Sequence, residues 1–230
     1  MPALLAGHDL WASYDGVRAL QGVTVEVPSG AAVAVVGANG AGKSTLLRVL
    51  SGLHPPERGR VLLGGTDVTG LPAHRIARLG LTLVPESRGT FPALTVAENL
   101  RLATRRPPER VREVFPALAG RLAQVAGTLS GGEQQMLALA RCLLTEARVV
   151  LLDEPSLALA PRLVEEIFAA VAALKRAGRT VVLVEQYVGR ALELADLVYV
   201  LRRGEVAFAG EPREAAARDA LERAYLGGRR

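Results

Sequence analysis

Residues 37 to 45 read GANGAGKST, lying between an apolar run, AAVAVVG, and a helical pattern, KSTLLRVLSGL. The spacing G-x-x-x-x-G-K-[ST] in that setting is a phosphate cradle. Gly37, Gly40 and Gly42 let the backbone curl so that its N–H groups converge on phosphate oxygens, and the helix starting near Lys43 adds its positive end. Lys43 is placed to reach β- and γ-phosphates and Ser44 to hold Mg²⁺, while Asn39 and Thr45 belong to the same nucleotide-binding stretch. Composition sharpens the role of Lys43. Only two of the 28 basic side chains are lysines, Lys43 and Lys175. A lysine kept in this loop by an arginine-rich chain points to a compact point charge that a planar guanidinium does not replace.

Two further apolar runs end in carboxylates. VVLLDEP, residues 149 to 155, delivers Asp153 and Glu154 to a strand end. In phosphoryl transfer, Asp153 would hold Mg²⁺ through water and Glu154 would orient or deprotonate the attacking water. VVLVEQY, residues 181 to 187, ends in Glu185 and Gln186, a polar pair at the end of a core strand. A fourth stretch, LSGGEQQ at 129 to 135, is a helix start suited to phosphate, with the Ser130 hydroxyl as an extra donor.

These residues need elements to hold them. Strand-like runs alternate with helical patterns: AAVAVVG with KSTLLRVLSGL, LTLVPE with TVAENLRLA, ARVVLLDEP with PRLVEEIFAAVAALKRAG, and RTVVLVEQ with the run ADLVYVLRRGEVAFAG after a short helix. That alternation predicts an α/β fold with a mostly parallel sheet covered by helices, and ligands collect at the carboxyl ends of such strands. Glu185 and Gln186 therefore fall where a ligand is expected. HDLWASY and GVTVEV, flanking the turn-like YDG, predict antiparallel strands attached to that sheet.

Size and charge narrow the setting. The chain has 230 residues, half of them hydrophobic, enough for one large domain or a domain with a small lobe. No apolar run approaches the roughly 18 residues of a membrane span, and no signal segment opens the chain, so a cytosolic protein is expected. Cys142 is the single cysteine, which excludes an internal disulfide, and its apolar helical setting favours a buried structural thiol. The net charge is +5, but the basic residues are scattered and aromatics for base stacking are few, so no nucleic-acid partner is expected. The densest basic stretch, residues 101 to 113, reads as a solvated face in which Glu109 is within helical reach of Arg105, Arg106 and Arg112, with acidic headgroups as the alternative partner.

With the phosphate loop upstream and the DE strand downstream, LSGGEQQ resembles the signature motif of ABC-type ATPases, and the resemblance covers nearly the whole chain. It implies a P-loop NTPase fold: a mostly parallel core sheet, an N-terminal antiparallel β subdomain, and a helical subdomain inserted at about 87–145 of a single domain. It also implies a sandwich of two cassettes around two ATP molecules, with Ser130, Gly131 and Gly132 acting on the partner's ATP. Tyr14 matches the aromatic residue that stacks on adenine, a contact of about 1–3 kcal/mol by analogy with base stacking; as a residue type it also fits an ordinary strand position.

Departures from the family pattern define a subgroup. Gln186 stands where the family usually has a histidine that touches the γ-phosphate, Glu86 where it has a glutamine, and Ala160 where an aspartate is common. VPESR, FPALTVAENL, EPSLALAP, VEQ and the terminal AYLGG together resemble the second ATP-binding subunit of bacterial branched-chain amino acid importers, although Ala158 replaces a more usual glycine. That resemblance implies a peripheral subunit at the cytoplasmic face of the bacterial inner membrane. Its partners would be a second, different ABC ATPase subunit, two integral-membrane permeases and, indirectly, a solute-binding protein. Glu86 becomes a further Mg²⁺ ligand and catalytic-site residue beside Glu154 and Gln186. Phe91, Pro92 and Leu94 become the apolar contact for a membrane subunit, unless Phe91 belongs to the core. Urea, amides or another small solute remain alternative cargoes, and a soluble ABC ATPase of DNA repair or translation is the alternative class.

Overall fold

The computed structural model describes residues 2–104, 115–186 and 188–214. Three apolar runs become fully buried strands: β3 (Ala32–Val36), β7 (Val149–Asp153) and β8 (Thr180–Val184). Their side chains alternate between two cores. Ala32, Ala34, Val36, Val150, Leu152, Val181 and Leu183 face one, while Val33, Val35, Val149, Leu151, Val182 and Val184 face the other. Burial on both faces removes any polar alternation, so each strand reads as a continuous apolar run.

With β6 (Leu81–Val84) and β9 (Leu197–Arg202) these strands form a parallel sheet, and β10 (Glu205–Gly210) adds an antiparallel edge in the order β10-β9-β3-β8-β7-β6. The helices Gly131–Leu144 and Pro161–Arg176 cover one face through residues such as Met136, Leu139, Ile167 and Val171. The helix Lys43–Leu50 covers the other, and beyond it lies a four-stranded antiparallel sheet, β2-β1-β4-β5. Its strands are β1 (Ala3–Tyr14), β2 (Val17–Pro28), β4 (Arg58–Leu63) and β5 (Thr66–Asp67). Leucines 46, 47 and 50, each no more than 1% exposed, cement this layer at roughly 1.5–3 kcal/mol per side chain. The Tyr199 hydroxyl ties the two sheets, accepting from Glu26 N–H at 2.9 Å and donating to its carbonyl at 3.1 Å.

The antiparallel start is as expected, but two other stretches differ from the sequence reading. The stretch 58–67 forms a hairpin, and the run ADLVYVLRRGEVAFAG is divided between β9 and β10. Both breaks are two-residue turns with positive φ at both positions, Gly64–Gly65 at 59° and 80° and Arg203–Gly204 at 49° and 81°, the same geometry as Asp15–Gly16. Such turns match the twist of the strands they join.

Between β6 and β7 lie the helices Val96–Arg101, Pro116–Ala119 and Gly131–Leu144 and a short 3₁₀ turn, Ala126–Thr128. Two of these helices open with reciprocal capping boxes, Thr95 with Glu98 and Ser130 with Glu133. Arg105, Arg106, Glu109 and Arg112, and the terminal AYLGG, lie outside the described residues. Cys142 is buried and its thiol is pushed up to about 11 by burial, as suits a structural residue.

Candidate functional site

The parallel order places β3, β8, β7 and β6 side by side, so the loops that follow them share one edge of the sheet. They contribute the phosphate loop, Gln186, Asp153 with Glu154, and Glu86. A cleft of about 620 Å³ opens there. Tyr14, Asn39, Gly40, Gly42, Lys43, Ser44, Thr45, Glu86, Glu154 and Gln186 line it, which brings most of the expected site together.

Glycine is required where the loop meets the fold. Gly37 has φ 153° and Gly42 φ 103°, and a Cβ there would come within 2.2 Å of the Leu201 carbonyl and 2.4 Å of the Ala19 carbonyl respectively. No other residue type fits those positions without moving backbone. Lys43, 4% exposed, donates to the carbonyls of Gly37 at 2.9 Å and Ala38 at 3.2 Å, and its Nζ lies 3.6 Å from Glu154 Oε1. The other Glu154 oxygen accepts from Gln186 Nε2 at 2.7 Å, and that amide also reaches Asn39 Oδ1 at 3.4 Å. Both oxygens of the carboxylate are thus held by donors that a phosphate would also take.

Asp153 accepts from the Ser44 hydroxyl at 2.9 Å. Burial pushes its carboxyl above the usual range; the Ser44 hydrogen bond opposes this, while the nearby Glu154 and Glu86 charges add to it. Glu154 adopts φ 48° and Ala158 φ 58°, left-handed conformations that cost an L-residue about 1–2 kcal/mol each. The second value gives a physical reason for the glycine more usual at position 158.

One expectation, that of a ligand-facing Glu185, comes out differently; the signature residues and Phe91 have the placements their expected roles need. Glu185 does not face the cleft. It is 1% exposed and accepts from the Ser156 N–H at 3.0 Å, the Ser156 hydroxyl at 2.6 Å and the Gln186 N–H at 3.0 Å, so it anchors the loop after β7 while Gln186 alone reaches the site. Ser130, Gly131 and Gly132 do not line this chain's cleft either. Ser130 is exposed at the start of its helix, where it caps Glu133 N–H. Phe91 is 47% exposed rather than core, under the Arg141 guanidinium at 5.1 Å, with Pro92 exposed beside it and Leu94 partly buried. Buried Asn99 pins this loop, bonding both the N–H and the carbonyl of Phe91 at 2.9 Å.

The cleft also contains residues that the motifs did not point to: Val17, Arg18 and Ala19 from β2, and Leu157. The Asp15–Gly16 hairpin signal was enough to place the first three beside Tyr14. Tyr14 is 37% exposed, and its ring stands 4.5 Å from that of His54.

A family model described as "ABC transporter" matches residues 20–157. The chain belongs to the ABC transporter family. Among its relatives are the high-affinity branched-chain amino acid transport ATP-binding protein BraG of Pseudomonas aeruginosa, 43% identical over 94% of this chain and 96% of that one. The probable branched-chain amino acid transport ATP-binding protein LivF of Archaeoglobus fulgidus is 40% identical over 94% and 95%. The fold matches a dimeric ATP-binding cassette solved in a post-hydrolysis state with ADP and phosphate, with TM-score 0.79 and 25% identity over 91% of this chain and 99% of that one. This ABC ATPase therefore has an α/β P-loop NTPase fold, and binds and hydrolyses ATP. Among its described residues no helix is long and apolar enough to cross a membrane.

Proposed function

We propose that this ABC ATPase is the ATP-hydrolysing subunit of an importer for branched-chain amino acids, held peripherally at the cytoplasmic face of a bacterial inner membrane. The observation that carries this reading is the end-to-end likeness to the two ATP-binding proteins named for branched-chain amino acid transport.

In this reading the loop glycines Gly37, Gly40 and Gly42, with Asn39, Lys43, Ser44 and Thr45, hold the phosphates, and Tyr14 stacks on adenine. Ser44, Asp153 and Glu86 fit Mg²⁺. The described residues contain no cluster of three or more His, Cys, Asp or Glu side chains able to hold a metal alone. A hydroxyl beside a buried carboxylate, completed by water and phosphate oxygens, is the donor set Mg²⁺ prefers. When bound, Mg²⁺ neutralises phosphate charge. Lys43 and Gln186 are drawn toward the triphosphate, which releases Glu154 to orient or deprotonate water. Ser130, Gly131 and Gly132, placed away from this cleft, serve the ATP of a second cassette.

Two substitutions suggest an unequal pair of cassettes. Gln186 donates an N–H but carries no charge and shuttles no proton, and Glu86 adds a carboxylate that repels the γ-phosphate. This site is therefore the slow one, and a different ATPase chain supplies the faster. Gln186→His and Glu86→Gln, singly or together, should raise turnover of the assembled complex; unchanged turnover sinks the asymmetry.

The helical subdomain, at about 87–145, provides the dock for the permeases. A groove of about 210 Å³ is lined by Pro85, Arg88, Leu102 and Arg141, whose guanidinium also covers the Phe91 ring; Phe91, Pro92 and Leu94 supply the apolar contact. A membrane helix segment fits such a groove through apolar anchors. Phe91→Asp should abolish sedimentation with permease-containing membranes while ATP affinity is retained; co-sedimentation at the original level would remove Phe91 from the dock.

A further inference from the structure

We infer that His54 is a positioning residue for the nucleotide base, holding Tyr14 from behind in the orientation that stacks on adenine. The inference rests on the reading of Tyr14 as the adenine platform. Tyr14 is poorly held by anything else. It ends β1 at the tip of a hairpin whose next residues, Asp15, Gly16 and Val17, are all exposed. Its hydroxyl makes no hydrogen bond among the described residues. Among the described residues the aromatic ring against it is the His54 imidazole, with centroids 4.5 Å apart and planes inclined at 35°. That spacing lies at the close end of favourable aromatic pairs. Tyr14 lines the cleft and His54 does not; in this inference the imidazole backs the face of the phenol ring opposite the one that receives the base.

The mount of His54 is stiff on three counts. The N–H groups of Leu53 and His54 both donate to the Arg48 carbonyl, at 2.9 and 3.2 Å, in the last turn of the helix Lys43–Leu50. Pro55 and Pro56 follow directly, restricting the backbone of His54 and of the segment leaving it. Glu57 N–H then donates to the Trp11 carbonyl of β1 at 2.8 Å, closing the segment against the strand that carries Tyr14. One short helix thus bears Lys43 and Ser44 at its start and His54 just past its end. Through this mount the position of the phenol ring is referred to the phosphate loop, so base and phosphates are presented with the ring already placed.

A ring free to turn about two torsions would lose that freedom when adenine stacks, and a ring already held by a neighbour loses less. The effect belongs to base binding alone. In displacement titrations of the full chain against a ribose-labelled fluorescent ATP analogue, His54→Ala should weaken ATP about 3- to 10-fold. Competition by inorganic tripolyphosphate, which has no base, should be unchanged. His54→Phe, which restores an aromatic ring, should recover most of the ATP affinity, and in a Tyr14→Ala background His54→Ala should have no further effect. If Tyr14→Ala weakens ATP but His54→Ala does not, the stacking reading stands and the role of His54 is overturned. If Tyr14→Ala also leaves ATP affinity unchanged, the platform itself is lost and the inference with it. Equal losses for ATP and tripolyphosphate in His54→Ala would mean general damage to the site and would equally overturn it.

Discussion

Glu154→Gln should lower ATP turnover by roughly 10²–10⁴-fold, the range associated with a positioned general base, and should leave ATP bound. The change keeps the size and shape of the side chain, and the variant's amide oxygen still accepts from Gln186. It removes the basicity and the charge 3.6 Å from Lys43 Nζ. Because Lys43 is then no longer shared with a carboxylate, ATP affinity should stay level or rise. Phosphate release at steady state and a parallel ATP titration separate the two effects. Turnover within threefold of the wild-type chain would remove Glu154 from the role of base.

Lys43→Arg is the second large effect, and it isolates shape from charge. Nζ lies among the loop's own carbonyls, donating to Gly37 and Ala38, and the side chain is almost fully enclosed. A guanidinium needs a planar fork of space that this curled loop does not provide, although its charge is the same. Loss of a charge-assisted contact of about 1.5–3 kcal/mol corresponds to ATP binding weakened about 10- to 150-fold. Calorimetric titration with ATP reads it directly. Wild-type affinity in the variant would show that a positive charge alone suffices, and the scarcity of lysine in this chain would then have no bearing on the loop.

The parts legible in the sequence are those in which burial or turn chemistry leaves a local mark. β3, β7 and β8 have side chains in two cores, so they read as unbroken apolar runs, and the polar residues that end the runs of β7 and β8 mark the sheet edge. The Ser130–Glu133 capping box marks the start of a helix in the same way. β10 carries no comparable mark: its residues alternate between exposed and half-buried, and it is joined to β9 by Arg203–Gly204, a pair without the usual Asn-Gly or Asp-Gly signal. Glu185 and Gln186 look alike in sequence, yet adjacent residues leaving a strand turn to opposite sides, and Ser156 captures one of them. His54 has no local signal at all, since its contact with Tyr14 exists only after the segment beyond Lys43–Leu50 is tied to β1. The place of Ser130 outside the cleft accords with the proposed site spanning two chains, and no reading of one strand or helix reveals that.

Light scattering on the Glu154→Gln chain with the second cassette of its transporter tests the central claim, that ATP closes a sandwich between two cassettes. With Mg²⁺ and no nucleotide the chains should scatter separately. Adding ATP should convert them into one two-cassette particle, while this chain with ATP but without its partner stays single. A mixture that binds ATP and still shows the masses of separate chains would contradict the account.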